Sequence, residues 1–135
     1  MVSSGAINKG KFFDLILSKI IRKMSSGSIM LLNNDGLKIA EQTCGLSDSD
    51  AIWGSANRLL SAGEHALTEL RQEKSHFNQI FESESFVLMV GPVNQDISYA
   101  ILSSKLNKLS LGMLKMFAQN LKEQVNTVDN GPESQ

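Results

Sequence analysis

The chain has 135 residues, enough to bury one hydrophobic core without disulfides or metal, and its 41% hydrophobic and 20% charged content is that of a globular protein. A formal charge of -1 argues against nucleic acid as the main partner, and a single cysteine, Cys44, excludes an intrachain disulfide or a cysteine-cluster metal site. No apolar run reaches the roughly 18 residues that cross a bilayer, and Asp14 and Lys19 interrupt "FFDLILSKII", so no secretory signal is read and a cytoplasmic protein in a reducing compartment is expected.

Residues 1–8 read as a flexible start. Residues 9–24 then place Phe12, Phe13, Leu15, Ile16, Ile20 and Ile21 at helical spacing. "SIMLLNNDGLKIAEQT" follows as two β-prone runs, 28–33 and 37–43, joined by Asn34, Asp35 and Gly36, whose Asp-Gly pair suits a tight hairpin turn. Ser47, Asp48 or Ser49 can cap a long alanine- and leucine-rich helix over residues 49–72. Three strands come next: "HFNQIFES", "SFVLMVGP" and "ISYAILSS". A last helix spans residues 107–125, and residues 126–135 read as a loose polar tail. Runs such as "FVLMV" and "IMLL" cannot face water on either side, so helices should cover both faces of the sheet. The expected fold is a three-layer α/β (α+β) domain over residues 9–125: a five-stranded antiparallel sheet in the order α-β-β-α-β-β-β-α.

Few residues are arranged for chemistry. "GAINKGKF" matches seven places of a phosphate-binding loop, but Phe12 stands where serine or threonine would hold magnesium, and no buried strand precedes it. His65 and Glu69, four apart on the second helix, lack a third ligand, and His76 is the only other histidine. No G-x-S-x-G elbow occurs, and Cys44 has no identifiable base nearby. No catalytic residue, metal or cofactor is therefore assigned. Five of the methionines, Met24, Met30, Met89, Met113 and Met116, read first as core, with Met113 and Met116 also suited to an adaptable contact surface.

Residues 9–23 carry Lys9, Lys11, Lys19, Arg22 and Lys23 against Asp14. That cluster is either the solvated side of a helix or a docking face for an acidic partner or an anionic membrane. On the second helix, Ile52, Ala56, Leu59, Gly63, Ala66 and Leu70 form a stripe that would cover the sheet, and Trp53, Leu60 and Leu67 widen it to about 140°, beyond the roughly 100° one sheet needs. A second chain is expected to cover the excess, approaching small residues such as Ser55, Ala56, Ala62 and Gly63.

The element order, the hairpin "LLNNDGLKIA", the long alanine-rich helix, and "SLGMLKMFAQNL" after the last strand together resemble the Roadblock/dynein light chain family over roughly residues 10–125. "LLNN" with the following Asp-Gly and "GMLK" are similar to Ragulator adaptor subunits; "FNQ" and "SLG" are similar to bacterial MglB-type GTPase regulators. The resemblance implies one long helix on one face and two on the other. It also implies pairing with an identical or another Roadblock-like chain through the third strand and second helix. The matching interface residues are Trp53, Ala56, Leu60, Gly63, Leu67, Phe77, Asn78, Gln79, Ile80 and Phe81, with Asn57, Arg58 and Glu64 as a partner surface.

Such a dimer is expected to be a non-enzymatic adaptor that binds a small Ras-like GTPase and scaffolds it or tunes its nucleotide cycle, meeting membranes only through partners. Without an inserted arginine, it would align the partner's own catalytic residues, Arg58 and Arg71 keeping an arginine finger open. The alternatives are a structural light chain without a GTPase and a small-ligand sensor. In this arrangement Gly112, costly inside a helix by about 1 kcal/mol relative to alanine, would let the last helix approach a neighbouring segment.

Overall fold

The structure, a computed structural model, describes residues 2–45, 49–73 and 77–130, without the side chains of residues 2–8 and 130. The elements are α1 (Val2–Ile21), β1 (Gly27–Asn33), β2 (Lys38–Cys44), α2 (Ser49–Glu69), β3 (Gln79–Glu82), β4 (Phe86–Pro92), β5 (Ile97–Ser104) and α3 (Leu111–Asn130). The five strands form one sheet in the spatial order β2-β1-β5-β4-β3, with every neighbouring pair antiparallel. The expected element order and sheet are present.

Alternation along the strands divides the core in two. Ile29, Leu31, Met89, Tyr99 and Ile101 face α1 and α3, where Leu17, Ile20, Leu114, Leu121 and Val125 cover them. Met30, Leu32, Leu88, Val90 and Ala100 face the opposite way and are covered by Ala56 and Leu60 of α2. One long helix on one face and two on the other follow directly.

The β1–β2 hairpin closes as its residues dictate. Gly36 takes φ 80°, and the Asn33 side chain accepts the N–H groups of Asp35 and Leu37 at 2.9 and 3.0 Å. Both chain ends are more helical than expected. α1 takes in residues 2–8, read as a flexible start, and α3 continues through residues 126–130 of the expected tail. The two helices clamp each other there: Lys9 Nζ lies 3.3 Å from Asp129 Oδ1. α3 also starts later than expected, after a 3-10 turn at Lys105–Asn107, with Ser110 Oγ accepting the Met113 N–H at 3.1 Å.

Met24, Met30 and Met89 are core residues, whereas Met113 and Met116 are exposed, as are Phe12, Leu15 and Leu111. The cap candidates Ser47 and Asp48, His76 and residues 131–135 lie outside the described residues. No helix among the described residues is long and apolar enough to cross a membrane.

Candidate dimer edge and partner surface

Among the described residues β3 bonds only to β4, and its other edge is open. It is four residues long, half the expected stretch; Phe77 and Asn78 precede the ladder, and Asn78 is engaged elsewhere. The Asn78 Oδ1 accepts the Tyr99 hydroxyl and also the Lys122 ammonium at 3.2 Å. Lys122 lies over the Tyr99 ring, 5.3 Å from its centre. Burial shifts both groups toward their neutral forms, pushing the Tyr99 pKa up and the Lys122 pKa down.

Two glycines bring neighbouring backbone close to the start of β3. A Cβ on Gly91 would lie 2.5 Å from the Phe77 carbonyl oxygen, and one on Gly63 would lie 2.5 Å from Gln79 Oε1. Gln79 Oε1 is buried there without a hydrogen-bond partner. Gly112 has no such role: a Cβ there would meet only Ser110 Oγ, at 3.8 Å. The close approach expected at Gly112 is absent among the described residues; Gly63 and Gly91 make the close contacts at the edge.

Beyond Gln79, Ile80 is 38% and Phe81 55% exposed. These are poor residues to leave in water on an unpaired strand. Phe81 sits at a groove of about 290 Å³ lined by Ser55, Arg58, Leu59, Phe86 and Leu88, between α2 and the β3 edge.

The structure redistributes the expected interface residues on α2. Ala56, Leu60 and Gly63 are buried within their own chain, the first two against the sheet, so they offer no surface to a second helix. Trp53 is half-buried and turned toward the hairpin, its Nε1–H donating to the Gly36 carbonyl at 2.6 Å, and Asn57 Nδ2 donates to the same oxygen at 3.0 Å. The hairpin thus covers much of the wide apolar arc.

Leu67 stays half-buried. On the edge-strand side of α2, the spacing Ser55, Leu59, Ala62 and Ala66 forms a second stripe, with Ala62 and Ala66 exposed. Ser55 and Ala62 stand out in the sequence as small residues. Periodicity places Leu59, Ala66 and Leu70 on the sheet: Leu59 does pack, half-buried, against the sheet cluster, whereas Ala66 and Leu70 are exposed. Of the expected partner residues, Asn57 and Glu64 line a polar cleft of about 630 Å³ between the hairpin tip and α2, together with Asp35 and Ser61. Arg58 lies on the other side, at the Phe81 groove.

The remaining motifs have other places. Residues 5–12, the partial phosphate-loop match, lie inside α1 rather than between a strand and a helix. His65 and Glu69 form an exposed pair 2.9 Å apart. Among the described residues no three His, Cys, Asp or Glu side chains are grouped to hold a metal ion. Cys44 Sγ donates to the Ser25 carbonyl at 3.4 Å.

Solved structures share this architecture. Myxococcus xanthus MglB superposes with a TM-score of 0.76 at 12% identity, over 88% of this chain and 88% of that one. The Roadblock/LC7 domain from Streptomyces avermitilis superposes at 0.65 with 21% identity, over 86% and 93%. The chain has a Roadblock-like fold. The gliding protein MglB from Thermus thermophilus matches the same fold at 0.69 and 16% identity, over 89% and 90%. No family model matches the chain, and no curated sequence matches it. The Roadblock-like architecture is therefore carried by element order and packing at identities where few individual residues coincide.

Proposed function

We propose that this chain is a non-enzymatic, dimeric Roadblock-type adaptor that pairs through β3 and α2 and holds a small Ras-like GTPase, scaffolding it or tuning its nucleotide cycle. The observation that carries the dimer is the open β3 edge, with exposed Phe81 at the groove under Ser55 and Leu59 and exposed Ile80 on the opposite face of the same strand. Pairing would extend the antiparallel ladder across the two-fold and bring the Ser55, Leu59, Ala62 and Ala66 stripes of two α2 helices together. Phe77, Asn78 and Gln79 would seat the edge, and Trp53, Ala56, Leu60 and Gly63 would support it from within each chain. Leu67 remains at the boundary of the helix contact.

The GTPase half rests on the family resemblance and on the cleft between hairpin and α2. There Asp35, Ser61 and Glu64 offer a polar, acidic surface, Asn57 holds the hairpin in place, and Arg58 borders the surface from the dimer side. A protein partner suits this open cleft better than a small ligand, which would be enclosed in a mostly apolar pocket. The test is direct binding of the purified chain to each Ras-like GTPase of its own organism, loaded with GDP or with a non-hydrolysable GTP analogue. At least one is expected to bind with nucleotide dependence and to lose affinity to Glu64→Lys. Failure of all of them in both states would overturn the GTPase reading.

A further inference from the structure

The helices on the two faces of the sheet differ in charge. Residues 9–23 carry five cations against Asp14, whereas α2 carries Arg58 against Asp50, Glu64 and Glu69. Lys9 is engaged with Asp129, but Lys11, Lys19 and Arg22 are exposed and form no ion pair with a described residue. The helical turn continues through Arg22, whose N–H reaches the Ser18 carbonyl at 3.2 Å. At about 100° per residue, Phe12, Lys19, Leu15, Arg22 and Lys11 fall within about 100° of arc, opposite the core-facing Phe13, Leu17 and Ile20. Phe12 and Leu15 are 51% and 56% exposed on that arc. They border a groove of about 510 Å³ between α1 and α3. A merely solvated face has no use for two large apolar side chains among unpaired cations. Apolar anchors ringed by lysine and arginine are the composition of a helix that lies in a membrane interface.

We propose that this outer face of α1 docks on an anionic lipid bilayer, with Phe12 and Leu15 entering the headgroup boundary and Lys11, Lys19 and Arg22 meeting the lipid phosphates. The choice of a bilayer over an acidic protein rests on the dimer proposed above. A two-fold axis that joins β3 edges with both α2 helices on one face must put both α1–α3 layers on the other, with their cations pointing the same way. An extended, flat, negatively charged surface meets both at once, and the second contact is then intramolecular. The acidic α2 face stays turned away from the lipid, toward a protein partner. Direct contact of this kind departs from the expectation that membranes are met only through partners.

The test is co-sedimentation of the purified chain with vesicles of phosphatidylcholine alone and of phosphatidylcholine containing about one-third phosphatidylglycerol, at low and high salt, with the solution mass measured on the same sample. Partitioning is expected to be at least about ten-fold stronger on the anionic vesicles, to collapse at high salt and to disappear in Lys19→Glu/Arg22→Glu. Phe12→Ser/Leu15→Ser should weaken it several-fold at an unchanged melting temperature. A dimer that ignores anionic vesicles, or partitions equally on both, overturns the proposal. So does a dimer that ignores vesicles yet binds a soluble acidic amphipathic helical peptide, which would assign the face to a protein. A monomer that still partitions on anionic vesicles keeps the lipid face and removes only the dimer reading.

Discussion

Phe81→Ser should break the dimer while leaving the protomer folded. A phenylalanine side chain buries on the order of 200 Å² when fully covered, and 55% of Phe81 is open on the β3 edge. Roughly 110 Å² per protomer is thus left for the partner to cover, worth about 2.7 kcal/mol at about 25 cal/mol per Å². A two-fold interface carries the substitution twice, so the loss approaches about 5 kcal/mol, or between three and four powers of ten in dimer Kd. Within its own chain the ring gives up only its covered half, against Leu59 and Leu88, so the protomer should lose about 2 kcal/mol and remain cooperative. Sedimentation equilibrium over a dilution series measures the Kd, and urea unfolding of the variant checks that it folds. A Kd moved less than about ten-fold in a folded variant would refute the placement of Phe81 in the interface.

Three further outcomes follow from individual contacts. Gly112→Ala meets no neighbour closer than Ser110 Oγ, so it should raise stability by about 0.5 kcal/mol through helix propensity, and a lower melting temperature would show a contact that the chain alone does not contain. Trp53→Phe should cost about 1 kcal/mol in denaturant unfolding, because the Nε1 bond to Gly36 is lost while Asn57 still satisfies that carbonyl; an equal loss in dimer affinity would move Trp53 back into the interface. Tyr99, the only tyrosine, has its pKa raised by burial, so its contribution is fully present below the unfolded value near 10 and declines at higher pH. Tyrosinate absorbance should therefore appear together with alkaline unfolding, and Tyr99→Phe should resist that unfolding better; reversible ionisation near pH 10 in a folded chain would contradict it.

Periodicity and turn chemistry were sufficient for the sheet and its covering helices, because buried runs such as "FVLMV" and the Asn-Asp-Gly turn report local geometry. The sides of α2 were harder. A helical stripe shows which residues are apolar but not whether a hairpin, the sheet or another chain lies against each flank. Trp53 therefore reads as an outward residue until the hairpin is folded back to give Gly36 as its hydrogen-bond partner. Leu59 packs on the sheet cluster as its spacing predicts, but Ala66 and Leu70 fit the same stripe by spacing alone and are exposed.

Glycines show the same limit. Gly112 is conspicuous in a helix but meets nothing tighter than an ordinary contact with Ser110 Oγ, whereas Gly63, equally helical, is pressed against a strand, and that contact depends on the long-range placement of Gln79. Near the two helical extensions the contact is again long-range, Lys9 with Asp129, 120 residues apart.

Pairing through β3 and α2 is tested most directly by the solution mass of the purified chain, measured by light scattering across a micromolar dilution series. The account predicts twice the 14.8 kDa of one chain, falling toward a single chain only on strong dilution. A mass of 14.8 kDa at every concentration would contradict self-pairing through the open edge.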